Sequence, residues 1–167
     1  IAKGAGMIGP RMATMLAVLM TDATLTPEDA QSMLEQVVDV TFNCISVEGH
    51  TSTNDTVLLL SSGQSKAVVS DGAGRATFTA ALREVCLDLA RSIPNDGEGA
   101  SHLVEVEVIG CPSRDDARKV ARAIADSPLV KTAIAGADPN WGRIVSAAGY
   151  AGVEFDPHKV DLEINGA

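Results

Sequence analysis

Aromatic side chains are scarce: one Trp, one Tyr and three Phe make up 3% of 167 residues. A core without them has to be built from Ala, Val, Leu, Ile and Met. Basic charge is scarce as well, with 13 Lys and Arg against 22 Asp and Glu and a formal net charge of −9. Nucleic acids and anionic membrane surfaces call for a basic patch, so neither is an expected partner. No apolar run reaches the length of a membrane span; the longest lie near Met15–Met20 and Val57–Leu60. No secretory signal is visible, since Ile1–Met20 holds Gly, Pro and Arg where an apolar stretch should stand. Cysteine is limited to Cys44, Cys86 and Cys111. Three widely spaced thiols give neither a disulfide framework nor a zinc pattern; they fit free buried thiols in a reducing compartment.

What is present is an ordinary globular balance, 46% apolar and 21% charged. The length suits one domain, or one domain and part of another. The chain starts at Ile1 and stops at Ala167 just after a strand-like pattern, so it is expected to be cut from a longer polypeptide. Ile1–Pro10 is a Gly-rich loop, and Met15–Met20 and Val57–Leu60 read as buried strands. Thr26 caps a helix that Pro27 opens, with Ala30, Met33, Leu34, Val37, Thr41 and Cys44 along one face. Asp71–Gly74 reads as a turn. Ala76–Ile93 reads as a second helix with Phe78, Leu82, Val85, Leu89 and Ile93 inward, ended by Pro94-Asn95-Asp96-Gly97. His102–Ile109 alternates as a half-buried strand with Val104, Val106 and Val108 on one side. Ser113 and Asp116 start a helix over Arg114–Asp126. Leu129–Ala135 reads as strand, Trp141–Tyr150 as helix, and Val160–Ile164 as strand. Alternating strands and helices predict an α/β or α+β layered sandwich of mixed sheets and helices.

Common catalytic signatures are missing. There is no HExxH, no P-loop, no GxGxxG after a strand and no GxSxG elbow. His50, His102 and His158 are far apart, which leaves a His-based triad without support. Three polar loops remain. In Lys3–Thr14, a Gly-rich segment delivers Ala13-Thr14 to the start of a strand. A hydroxyl there can be a nucleophile if a base lies close, and cutting the chain before Thr14 creates one. The new α-amino group titrates near pH 8, which suits it to accept the hydroxyl proton. A Thr before a strand is also an ordinary turn or cap residue. In Asn43–Thr56, the stretch Thr51-Ser52-Thr53-Asn54-Asp55-Thr56 could bind an anion or simply close on itself. In Pro94–Ser101, Asp96-Gly97-Glu98-Gly99 sets two acids among glycines; a carboxylate there could bind a substrate ammonium, or both could stay solvated.

Taken together, these residues resemble a known family. Lys3-Gly4-Ala5-Gly6-Met7-Ile8-Gly9-Pro10-Arg11-Met12-Ala13-Thr14-Met15-Leu16 resembles the self-cleaving segment of ornithine acetyltransferase, the bifunctional glutamate N-acetyltransferase (ArgJ) family. The resemblance continues through Thr51–Val57 and Asp96–Ala100, and through Lys131-Thr132-Ala133-Ile134-Ala135-Gly136-Ala137-Asp138-Pro139-Asn140-Trp141-Gly142-Arg143. It implies an N-terminal-nucleophile-like fold. It implies self-cleavage between Ala13 and Thr14, with residues 1–13 ending an α chain, 14–150 forming the β-chain sandwich and 151–167 beginning a C-terminal segment. Thr14 is then the catalytic residue, taking acetyl from N-acetylornithine, releasing ornithine and passing the group to glutamate, in arginine biosynthesis. Lys3, Thr14 and Glu98 are the implied substrate contacts. Acetyl-CoA serves many members as a second donor; no metal or other cofactor is implied. The expected partner is the α chain of the same precursor, in a heterotetramer of two α and two β chains. The expected location is the cytoplasm, or the mitochondrial matrix for a eukaryotic source.

The resemblance also implies that the oxyanion-hole pair and further substrate contacts lie outside these residues, so this chain alone is expected to be inactive. His50 stands where many members carry an acid. Two other readings fit the same residues: a self-processing aminopeptidase or amidase using Thr14 with water as acceptor, and an inactive assembly fragment. Asp138–Arg143 has no derivable chemical role and is assigned to packing or an interface.

Overall fold

A computed structural model describes residues 1–4, 15–47, 49, 53–69, 72–97 and 99–166. The chain forms two compact units, Ile1–Ile45 with His50–Ala100, and Ser46–Gly49 with Ser101–Ala167.

Among the described residues, the first unit holds a three-stranded sheet and two α-helices. Strands β1 (Ala2–Lys3), β2 (Leu16–Thr21) and β3 (Thr56–Ser61) stand in that order. β1 runs antiparallel to β2, and β3 runs parallel to it. A parallel neighbour needs a crossover, which here is helix α1 (Pro27–Asp39) followed by a short 3-10 turn at Phe42–Cys44. Thr26 caps α1 as expected: its Oγ1 accepts from the Asp29 N–H at 3.1 Å. Helix α2 (Gly72–Asn95) follows β3. Ala17 and Leu19 of β2 pack with Met33, Leu34 and Val37 of α1 and with Leu82, Cys86, Ala90 and Ile93 of α2.

Several expectations change here. The two apolar runs were expected to be buried strands, and continuous apolar character does predict cover on both faces. The helices cover one face only, and Leu16, Met20, Leu58 and Leu60 on the other are 46%, 77%, 47% and 51% exposed. Helix α2 begins at Gly72, so three of the four residues expected as a turn over Asp71–Gly74 are helical; Asp71 lies outside the described residues. Arg75 anchors that first turn, pairing with Asp29 and donating from Nη2 to Ser32 Oγ at 3.0 Å. Cys86 takes the inward position in place of Val85, which is exposed. Cys44 is exposed because α1 stops at Asp39 and the 3-10 turn breaks the period. Thr41 stays buried by donating its hydroxyl to the Val37 carbonyl at 2.8 Å.

The second unit packs three helices, α3 (Arg114–Asp126), α4 (Pro128–Ala135) and α5 (Trp141–Gly149). Val120, Ile124, Val130 and Ala147 form its core, with Val106, Val108, Ile134 and Ile144 against it. The expected strand at Leu129–Ala135 is α4. Ser127 caps it, Pro128 opens it, and the Val130 N–H donates to Ser127 Oγ at 3.4 Å. Nor do His102–Ile109 and Val160–Ile164 form strands among the described residues. Alternation persists in Val106 and Val108, but a strand also needs a neighbour to take its N–H and C=O groups. Asp126 at the end of α3 accepts from Ser46 Oγ, and Lys131 donates to the Val47 carbonyl. These two bonds bind the 46–49 segment to the helices.

Candidate functional site

The sheet register decides which motifs meet. Lys3 lies opposite Leu16, and Leu16 lies opposite Thr56. The end of β1 and the starts of β2 and β3 therefore share one end of the sheet. Met15, the residue after Thr14, is held there twice. Its N–H donates to Asp55 Oδ1 at 2.9 Å, and its carbonyl accepts from the Thr56 N–H at 2.9 Å.

Helix α2 ends at the same place. A Cβ on Gly4 would stand 3.0 Å from Ile93 Cγ2 and 3.5 Å from Met15 Cγ. Glycine thus lets the backbone beside Lys3 lie close to the last turn of α2, where a larger residue would push the Ile93 side chain aside. From there the chain turns through bonds from the Asp96 N–H to the Ser92 carbonyl at 3.0 Å and from the Ala100 N–H to the Gly97 carbonyl at 2.9 Å. Gly99 takes φ +73°, a left-handed conformation that glycine adopts without strain.

Of the candidate residues, Lys3 is described and exposed on β1; Ala13, Thr14, Glu98 and His50 lie outside the described residues. The structure therefore brings together Lys3, the residue that follows Thr14 and the helix end that leads to Glu98. The described part of the hydroxyl-rich loop closes on itself. Thr56 Oγ1 donates to the Asn54 carbonyl at 3.2 Å, and Thr53 Oγ1 to Asn54 Oδ1 at 3.5 Å. Gly4, Gly6 and Gly9 do follow a strand, β1, contrary to expectation. The next described element is another strand, β2.

Sequence reasoning passed over Asp55 as one more polar loop residue. Aligning the two apolar runs as parallel neighbours would have set residue 55 beside residue 15. Elsewhere, a shallow open cleft of about 590 Å³ lies at the opposite end of β2 and β3, lined by Met20, Thr21, Asp22, Leu60, Ser61 and Ser62. It holds one titratable group, Asp22. Cys86 is a poor nucleophile, because burial pushes its thiol up to about 11. Among the described residues no group of His, Cys, Asp or Glu could hold a metal ion. Nor is any helix among them long and apolar enough to cross a membrane.

A family model described as the ArgJ family matches residues 1–167. The chain belongs to the ArgJ family. Curated relatives named "Arginine biosynthesis bifunctional protein ArgJ" share its sequence closely. That of Dehalococcoides mccartyi (strain CBDB1) is 53% identical over 163 residues, covering 96% of this chain and 40% of the relative. That of Rhodopirellula baltica is 51% identical over 172 residues, covering 99% of this chain and 41% of the relative. The chain thus spans about 40% of the length of the ArgJ relatives it matches. A solved ArgJ structure from Bacillus halodurans superposes with TM-score 0.81 at 45% identity, over 85% of this chain and 68% of that one. The mixed α/β architecture described above is therefore an ArgJ architecture.

Proposed function

We propose that the protein carrying this chain is an acetyltransferase of arginine biosynthesis that works through Thr14. Cleavage between Ala13 and Thr14 frees the Thr14 amine, which takes the proton of its own hydroxyl. The hydroxyl oxygen bonds to the acetyl carbon of N-acetylornithine, the amide C–N bond breaks, and the proton passes to the departing amine of ornithine. The glutamate amine then attacks the acetyl-Thr14 ester, the ester C–O bond breaks and the hydroxyl is restored. Splitting a transfer between two amines into two steps predicts ping-pong kinetics.

Lys3 and Glu98 supply one cation and one anion. Donor and acceptor share an α-carboxylate, which Lys3 can meet in both half-reactions; the acetylated nitrogen of N-acetylornithine is uncharged, so its side-chain ammonium is the group left for Glu98. Acetyl-CoA is a second donor in this reading, and the working form is a cytoplasmic assembly of two α and two β chains. The reading is supported above all by the register that sets Lys3 beside the start of β2, with the end of α2 against Gly4.

The test is intact-mass analysis with N-terminal sequencing of the full-length protein, alongside its Thr14→Ala variant. A new terminus reading Thr-Met-Leu-Ala is expected, and Thr14→Ala should lose both cleavage and transfer. A cut and active Thr14→Ala protein would refute the mechanism. Hydrolysis indifferent to glutamate would point instead to an amidase using the same nucleophile.

A further inference from the structure

The amide that joins Met15 to Thr14 has an unusual acceptor. In a parallel ladder the N–H of a residue at this register reaches a carbonyl of the neighbouring strand. Here it reaches a side-chain carboxylate, Asp55 Oδ1, at 2.9 Å, while the Met15 carbonyl takes the Thr56 N–H at 2.9 Å. Bonds to an ionised acceptor are roughly twice as strong as neutral ones. Both polar backbone groups of Met15 are thus fixed by two consecutive residues at the foot of β3. A peptide unit is planar, and its plane includes the preceding Cα. Whatever holds the Met15 amide therefore restricts the residue before it to its own torsions.

We propose that Asp55 is a positioning residue: its carboxylate holds the amide after Thr14 and so aims the Thr14 hydroxyl. This deepens the reading of Thr14 as nucleophile and rests on it. Misplacing a reacting group by about 1 Å can cost on the order of 100-fold in rate, so a bond this close to the nucleophile is well placed to control turnover. Asp55 itself touches no substrate in this account.

The experiment uses the full-length protein with Asp55→Ala, Asp55→Asn and Thr14→Ala, scoring the cut fraction by intact mass and the transfer rate per cut molecule. Asp55→Ala should lower kcat by about 10- to 100-fold and leave KM for N-acetylornithine within about twofold. Asp55→Asn keeps an oxygen acceptor and should restore kcat to within about threefold of the parent. A folded Asp55→Ala protein that stays uncut, with cutting restored by Asn, supports the same role, because cleavage uses the same hydroxyl. Unchanged kcat in Asp55→Ala overturns the proposal, as does a parallel change in KM or a failure of Asn to restore activity. If Asp55→Ala does not fold, Asp55→Asn decides: a loss beyond threefold overturns it. Thr14→Ala separates the two levels. An inactive Thr14→Ala beside a fully active Asp55→Ala removes only the Asp55 role, whereas an active Thr14→Ala removes the nucleophile itself.

Discussion

The Cys86 thiol is fully buried against the helices and the sheet, at 0% exposure, and burial raises it from 9.0 to about 11. An unfolded chain releases that proton at lower pH than the folded one does. The unfolded state therefore binds fewer protons between those values, and stability falls as pH rises from about 9 toward 11. Each pH unit in that window costs about 1.4 kcal/mol, so the full loss is on the order of 2 to 3 kcal/mol. Denaturation at several alkaline pH values should show this slope, and Cys86→Ala should remove it. Ellman's reagent should label exposed Cys44 readily and Cys86 only on unfolding. Chemistry at the sheet end gives a second expectation. Losing a charge-assisted contact costs about 1.5–3 kcal/mol, so Glu98→Gln should raise KM for N-acetylornithine at least about tenfold with self-cleavage little changed. Equal losses of transfer and cleavage would assign Glu98 to folding. At this scale motif resemblance singles out Lys3, Thr14 and Glu98, of which Lys3 alone lies among the described residues. The bond from Met15 to Asp55 was not legible, because it depends on a strand pairing across 40 residues.

Two helices with explicit start signals were read correctly. Thr26-Pro27 and Ser113 mark the starts of α1 and α3, and the bounds of α3 match the expected Arg114–Asp126. Thr26→Ala should cost about 1 kcal/mol of stability through loss of its cap bond, measurable as a fall in the urea midpoint. Ser113 does more than cap. Its hydroxyl donates to Asp116 Oδ2 at 2.8 Å, and that bond, with a further one from Lys119, holds the Asp116 carboxyl below its ordinary range. The stabilisation is present at neutral pH and is lost as pH falls through that lowered value. Ser113→Ala should move the Asp116 titration back upward, as followed by carboxyl NMR. The misread helix, α4, is short and apolar. Pro-Leu-Val-Lys-Thr-Ala-Ile-Ala has too few residues to separate helical from strand periodicity, although Ser127-Pro128 carried the start signal.

Over the whole molecule, the sequence revealed the mixed α/β class but not which sheet face is covered. An apolar run looks the same whether one side or both are packed, and the bare side of β2 and β3 emerges only from the helix placement. Leu16, Met20, Leu58 and Leu60 leave a patch of the kind that drives association. The isolated chain should therefore bind a hydrophobic dye and self-associate on sizing columns. Leu60→Lys should reduce both while changing unfolding stability by no more than about 0.5 kcal/mol.

The central place of β2 carries one more consequence. Its backbone is zipped to β1 on one flank and to β3 on the other, and the Val18 N–H also reaches the Ile1 carbonyl at 2.9 Å. A nick ahead of Thr14 severs the covalent thread between the first two strands but none of these rungs. The segment bearing Lys3 keeps its rungs to β2 without that tether, so scission ahead of Thr14 need not release Lys3 from the sheet.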